Sequence, residues 1–170
     1  MLLPGVAIAV ILFAARLRGV SFRDGLGLRL PSWQQGVFWL VLFVALAIVQ
    51  EALQKAVGLP VPEPWGSHYT DSVKVIRVFA MIALAPISEE LLFRGLLYHT
   101  IETTMLKRAG AIAITSAGFA ALHYQYGVRG LPFALADGLL FGIARCSTGS
   151  TILTMVLHAL GNGYAAYQRL

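Results

Sequence analysis

Six runs of apolar side chains, over residues 1–15, 33–57, 73–98, 111–124, 131–144 and 150–167, dominate this sequence. A helix that crosses a bilayer needs about 20 predominantly apolar residues. Runs of this kind, separated by short polar connections, leave little chain from which to build a water-soluble surface. The composition agrees, with 58% hydrophobic and 12% charged residues, where a soluble domain carries about 25% charged. The expectation is an all-α, polytopic membrane helical bundle of about six transmembrane helices, with residues 1–170 forming one membrane-embedded domain. A mean hydropathy of +0.74 excludes a disordered chain.

The 13 Lys and Arg residues outnumber the 8 Asp and Glu residues, giving a formal charge of +5. In a membrane protein such an excess belongs to cytoplasmic loops rather than to a nucleic-acid surface, so no nucleic-acid partner is expected. Arg16, Arg18, Arg23 and Arg29 follow the first run, and Lys107, Arg108 and Arg145 fall in connections on the same side. Lys55, Lys74, Arg77, Arg129 and Arg169 fall on the other. The side with more basic residues is expected to face the cytoplasm, which puts both termini outside. The first run lacks a preceding basic region and a small-residue cleavage site, so it reads as a first helix rather than a removable signal. Pro60, Pro62 and Pro64 mark a loop that also holds Trp65 and Tyr69 at interface-like positions. Cys146, the only cysteine, excludes an intrachain disulfide and is expected to be a small buried apolar residue.

An ionisable side chain at a helix centre costs about 2.5–3.5 kcal/mol on insertion scales, so each one needs a reason. Three groups stand out: Glu89, Glu90 and Arg94 in PISEELLFRG, Phe119 and His123 in FAALH, and His158 and Asn162 in HALGN. Each contains an i, i+4 pair, which a helix places on one face. Glu90 and Arg94 can pair within their helix, whereas Glu89, rotated by about 100°, is left without such a partner. At about 1.5 Å per residue, Glu89, His123 and His158 are expected within about one turn of the bilayer middle, consistent with one shared site.

A carboxylate, two imidazoles and an amide suit activation of water rather than a covalent acyl-enzyme. Glu89 is read as the base that takes a proton from water, with His123 holding that water. His158 and Asn162 are read as donors to the oxygen that becomes negative when a peptide carbonyl is attacked.

The strings EELLFR, FAALH and HALGN, with GLLFGIARCSTGSTILTMVLHALGN around the last, resemble in order the signature segments of the CPBP intramembrane protease family. That family is also called Abi and includes the CAAX-processing endopeptidases. The resemblance covers about residues 86–164 and implies a membrane-embedded peptidase domain. It places Glu89, Glu90, Arg94, Phe119, His123, His158 and Asn162 at the family's positions, with Glu90, Arg94 and Phe119 in support. It implies an intramembrane endopeptidase in a bacterial or archaeal cell membrane, acting on membrane-anchored protein or peptide. Prenylated CAAX tails, precursor peptides and carboxy-terminal sorting segments all fall within that range.

The family has been described both as metal-dependent and as glutamate-dependent. Glu89, His123 and His158 match in type the His2Glu set of a catalytic zinc or other divalent metal. The sequence lacks HExxH and Asn162 suits oxyanion binding better than ligation, so the metal-free glutamate reading is preferred and no cofactor is expected. Two other classes compete: a catalytically silent scaffold or immunity protein of the same fold, and a small transporter with a polar site. The inverted halves usual in a transporter are not visible. Among the remaining polar positions, Asp137 is read either as hydrogen-bonded to a neighbouring helix or as lining a cavity. Gly138 and Gly142 have small-xxx-small spacing for close helix contact. His68 and His99 are placed near the interfaces without catalytic duty.

Overall fold

The computed structural model describes residues 2–60, 63–66 and 69–170; Pro62 and His68 lie outside the described residues. Helix α1 (Leu2–Leu17) leads through a looped connection to α2 (Trp33–Ala56). A third rod over residues 71–102 comprises α3 (Asp71–Phe79), π turns at Ala80–Leu84, α4 (Ala85–Glu90), π turns at Leu91–Leu97 and α5 (Tyr98–Glu102). Helix α6 (Lys107–Leu122), a 3₁₀ turn (Tyr124–Tyr126), α7 (Gly127–Thr148) and α8 (Thr151–Tyr167) complete a bundle of six rods among the described residues.

Trp33–Ala56 and Tyr124–Thr148 are each long and apolar enough to cross a bilayer. Along α2 only Trp39, Phe43 and Gln50 are buried, while Val37, Phe38, Val41, Val44, Ile48 and Val49 are exposed. A soluble monomer does not leave so large an apolar face in water, so this surface belongs against lipid.

Local chemistry sets the helix ends. Ser32 and Gln35 form a capping box at the start of α2, with Ser32 Oγ accepting from the Gln35 amide and Gln35 Oε1 from the Ser32 amide. Helix α7 stops at Gly149, whose φ of 68° is the left-handed conformation that glycine tolerates best. Ser150 then caps α8 by accepting from the Leu153 amide.

The first π segment has a cause in the sequence. Pro86 carries no amide hydrogen and its ring crowds the carbonyl four residues back, so the turns ahead of it widen. The Ala85 amide bonds the Ala80 carbonyl, five residues back. Continuing that pattern would give the Met81 carbonyl to Pro86, which has nothing to donate.

Three boundaries differ from the sequence expectation. His123 follows the last residue of α6 and caps it at φ −95°, ψ 23°, rather than lying inside the helix. Helix α7 starts at Gly127 and continues to Thr148, with Pro132 inside it, so Arg145 is a buried residue of its last turn and not a loop cation. Cys146 is half-buried rather than buried.

Candidate active site

The site forms where the 71–102 rod meets α6, α7 and α8. Glu90 and Arg94 are completely buried, and Arg94 Nη1 donates to Glu90 Oε1 at 2.9 Å. Its Nη2 donates to the Gly138 carbonyl at 2.9 Å. The guanidinium lies over the Phe119 ring, 4.6 Å from its centroid, with Phe141 and Phe93 close by. Stacking on aromatic faces and a planar fork of donors suit an arginine to such a place better than a lysine. The in-helix pair expected from i, i+4 spacing is thus formed, and it is closed off by aromatic rings.

His158, 5% exposed, stands between two consecutive carboxylates. Its Nδ1 lies 3.0 Å from Glu90 Oε1, and its Nε2 lies 4.0 Å from Glu89 Oε2. Glu90 already accepts from Arg94, so its ionised oxygen accepts from His158 as well and Nδ1 carries the hydrogen. Glu89 has no in-helix partner, as expected, and its Oε2 is buried without a hydrogen-bond partner although the side chain is 26% exposed.

His123 reaches the same neighbourhood from another direction. Its Nδ1 lies 2.8 Å from the Phe119 carbonyl, an oxygen that can only accept, so here too Nδ1 is the donor. The Phe119 ring separates the two imidazoles, with centroids 4.5 Å from His123 and 5.5 Å from His158. Phe119 is 3% exposed and packs on Phe93 and Phe141. Both imidazoles therefore leave Nε2 free, which in the neutral ring is an acceptor.

Asn162 meets the orphaned carbonyl of the first π segment, with Nδ2 donating to Met81 O at 2.8 Å. One amide hydrogen is engaged there and the second is left for another acceptor. π turns recur at functional sites. Here the asparagine that satisfies the widened turn stands four residues from His158.

Asp137 accepts at Oδ1 from Gln50 Nε2 at 3.0 Å, and the same amide lies 3.3 Å from the Phe133 carbonyl. Of the two readings of Asp137, a hydrogen bond to a neighbouring helix is the one found. Gly138 and Gly142 face Ser116 and Ile112 of α6, closely enough that a Cβ would lie 3.1 Å from Ser116 backbone atoms and 3.2 Å from Ile112 Cγ2. His99 pairs with Glu102 at 3.6 Å, away from the site. Among the described residues, no three His, Cys, Asp or Glu side chains converge to hold a metal ion.

Sequence reading missed Gln50, Phe141 and Arg145. Gln50 is a polar residue in an apolar run, the signal that flagged Asp137. Phe141 stacks on His158 with centroids 5.6 Å apart, and nothing in a leucine- and phenylalanine-rich run distinguishes it. Arg145 donates from Nε to the Arg94 carbonyl at 3.0 Å, which its position near a connection hides.

Residues 71–164 match the family model for Type II CAAX prenyl endopeptidase Rce1-like proteins. The chain belongs to this family. The matched segment contains Glu89, Glu90, Arg94, Phe119, His123, His158 and Asn162. The chain is also 32% identical over 130 residues to an uncharacterized 24.3 kDa protein of Escherichia coli. That similarity takes in 72% of this chain and 59% of the relative, so the Rce1-like chain spans less than two thirds of its relative's length. No solved structure matches it.

Proposed function

We propose that the protein is an intramembrane endopeptidase of glutamate type, hydrolysing a peptide bond of a membrane-anchored substrate. The observation that carries this reading is His158 held at Nδ1 by Glu90 with Nε2 facing Glu89 across 4.0 Å. A water between the two can give one hydrogen to the Glu89 carboxylate and the other to Nε2, which leaves an oxygen lone pair for attack. His158 rather than His123 then holds the water, a division of roles that differs from the expectation from sequence.

As the water oxygen bonds the carbonyl carbon, Glu89 takes a proton. The oxyanion accepts the second amide hydrogen of Asn162, a donor fixed in place by its bond to Met81 O. Collapse breaks the carbon–nitrogen bond, and Glu89 returns its proton to the leaving amine. His123, across Phe119, offers its free Nε2 to a substrate donor. Membrane-anchored CAAX-like tails, precursor peptides and sorting segments are the substrate class, reached from within the bilayer. The Escherichia coli relative is in keeping with a bacterial membrane.

The test uses purified Glu89→Gln and His158→Ala variants of the full chain, incubated with membrane-anchored peptides and followed by mass spectrometry. Cleavage by the parent and a loss of at least 100-fold in each folded variant support the assignment. Parent-rate cleavage by both variants overturns it. A parent that cuts no such peptide favours a catalytically silent scaffold of the same fold.

A further inference from the structure

The connection between α1 and α2 is folded into the end of the bundle opposite Asn162. Leu26 is fully buried and joins Ile11, Ala15 and Leu91 in an apolar cluster. Thr151 donates its amide to Gly27 O and its hydroxyl to Leu26 O, and Ser150 Oγ donates to Arg29 O. Gly27 and Gly149, with φ of 70° and 68°, let two guanidinium groups lie against bare backbone. A Cβ on Gly27 would meet Arg145, and one on Gly149 would meet Arg29.

Among the described residues, these two arginines donate hydrogen bonds only to neutral acceptors. Arg145 donates to the carbonyls of Arg94, Gly25 and Asp24, and Arg29 to that of Thr148 at 2.8 Å. Carbonyls orient a guanidinium without neutralising it. Among the described residues, Arg23, Arg29, Arg108 and Arg145 form no ion pair within 4.0 Å. Arg29 lines two cavities at once, one of about 740 Å³ with Arg23 and one of about 340 Å³ with Arg108 and Arg145. Asp24 and Glu102 also line the smaller cavity, so three guanidiniums face two carboxylates there, while Arg23 and Arg29 meet no carboxylate in the lining of the larger one. Tyr98, 1% exposed, lines it too, and its hydroxyl is buried with no hydrogen-bond partner.

We propose that these two neighbouring cavities bind the phosphate of an anionic phospholipid headgroup, with Arg29, which lines both, at the centre and Arg23 and Arg108 flanking. Guanidinium forks match phosphate oxygens in geometry and charge. Basic pockets between transmembrane helices on the cytoplasmic side are where acidic headgroups dock. The exposed Phe13 and Leu17 of α1 run up to the same end of the bundle and supply an apolar surface for acyl chains, which a free phosphate ion would not use.

The full chain, purified in an uncharged detergent, is examined by native mass spectrometry with phosphatidylglycerol, phosphatidylcholine or inorganic phosphate. Variants are Arg29→Gln and Arg108→Gln. Arg108 makes no side-chain hydrogen bond among the described residues, so its replacement removes none. The expected result is retention of phosphatidylglycerol at least fivefold above phosphatidylcholine, reduced at least fivefold in each variant, with inorganic phosphate displacing the lipid only at millimolar levels. Equal retention of both lipids, or retention unchanged in Arg108→Gln, overturns the proposal. Arginine-dependent binding of inorganic phosphate with no retention of phosphatidylglycerol overturns the lipid assignment in favour of the free ion.

Discussion

His158 donates from Nδ1 to Glu90 Oε1 across 3.0 Å, and that oxygen also takes a hydrogen from Arg94 Nη1 at 2.9 Å. One carboxylate oxygen therefore orients the imidazole and neutralises a buried guanidinium together. The histidine inherits its tautomer from an ion pair that never reaches water.

Removing one member of a buried pair leaves an uncompensated charge and costs about 3–5 kcal/mol. Glu90→Ala is expected to destabilise the protein by that amount, visible as a large fall in melting temperature in detergent. Arg94→Met alone should cost as much. The double variant Glu90→Leu/Arg94→Met should recover much of the stability, since two apolar side chains carry no stranded charge. It should still fail to cleave, because His158 has lost the acceptor that fixes its ring. Equal melting temperatures for parent and Glu90→Ala would contradict the ion pair's structural weight.

The bundle and the ion pair were legible in the sequence because each rests on local periodicity. Apolar runs mark rods, and i, i+4 spacing marks Glu90 with Arg94. Glu89 was legible by elimination, as the acid its own helix cannot satisfy. The position of His123 was not, because a histidine that ends a helix and one inside it share the same apolar flank. Nor was the role of Arg145: its acceptors, the carbonyls of Asp24, Gly25 and Arg94, are main-chain atoms that carry no residue signature. The use of Asn162 depends on Pro86 distorting a helix far away in sequence, a relationship that only the packed rods reveal.

That relationship gives a rescue experiment. Asn162→Ala leaves the half-buried Met81 carbonyl without a donor and should cost about 1 kcal/mol or more. Pro86→Ala supplies a backbone amide where the widened turn lacks one, so the double variant Pro86→Ala/Asn162→Ala should regain part of the lost stability. Cleavage should stay low in the double variant if the second Asn162 hydrogen serves the oxyanion. Thermal unfolding and peptide cleavage, measured on the same four proteins, separate the two roles. Full recovery of cleavage along with stability would reduce Asn162 to a structural clamp.

Glycines 138 and 142 differ in what confronts them. A Cβ at position 138 would press on Ser116 Cα and O, both 3.1 Å away, and backbone does not yield. At position 142 the nearest atom is Ile112 Cγ2 at 3.2 Å, the end of a side chain that can move. Gly138 also presents the carbonyl that Arg94 Nη2 uses. Gly138→Ala should therefore cost about 1–3 kcal/mol through overpacking and lower cleavage by disturbing Arg94. Gly142→Ala should cost less and leave cleavage within about threefold of the parent, which a melting curve and a rate for each variant would decide.

The bond from Gln50 to Asp137 joins α2, otherwise buried only at Trp39 and Phe43, to α7. If Asp137 serves to hold that helix, an acceptor is all it must supply. Asp137→Asn keeps an oxygen for Gln50 Nε2 and should retain cleavage within about threefold and stability within about 1 kcal/mol. Gln50→Leu leaves Asp137 Oδ1 without its donor and should lose about 1–3 kcal/mol. The double variant Gln50→Leu/Asp137→Leu should be more stable than Gln50→Leu, because removing both partners strands neither. A loss of cleavage beyond about 100-fold in a well-folded Asp137→Asn protein would move this acid into the chemistry, alongside Glu89. The retained hydrogen bond makes that outcome readable, since the helix contact would be intact while the ionisable group is gone.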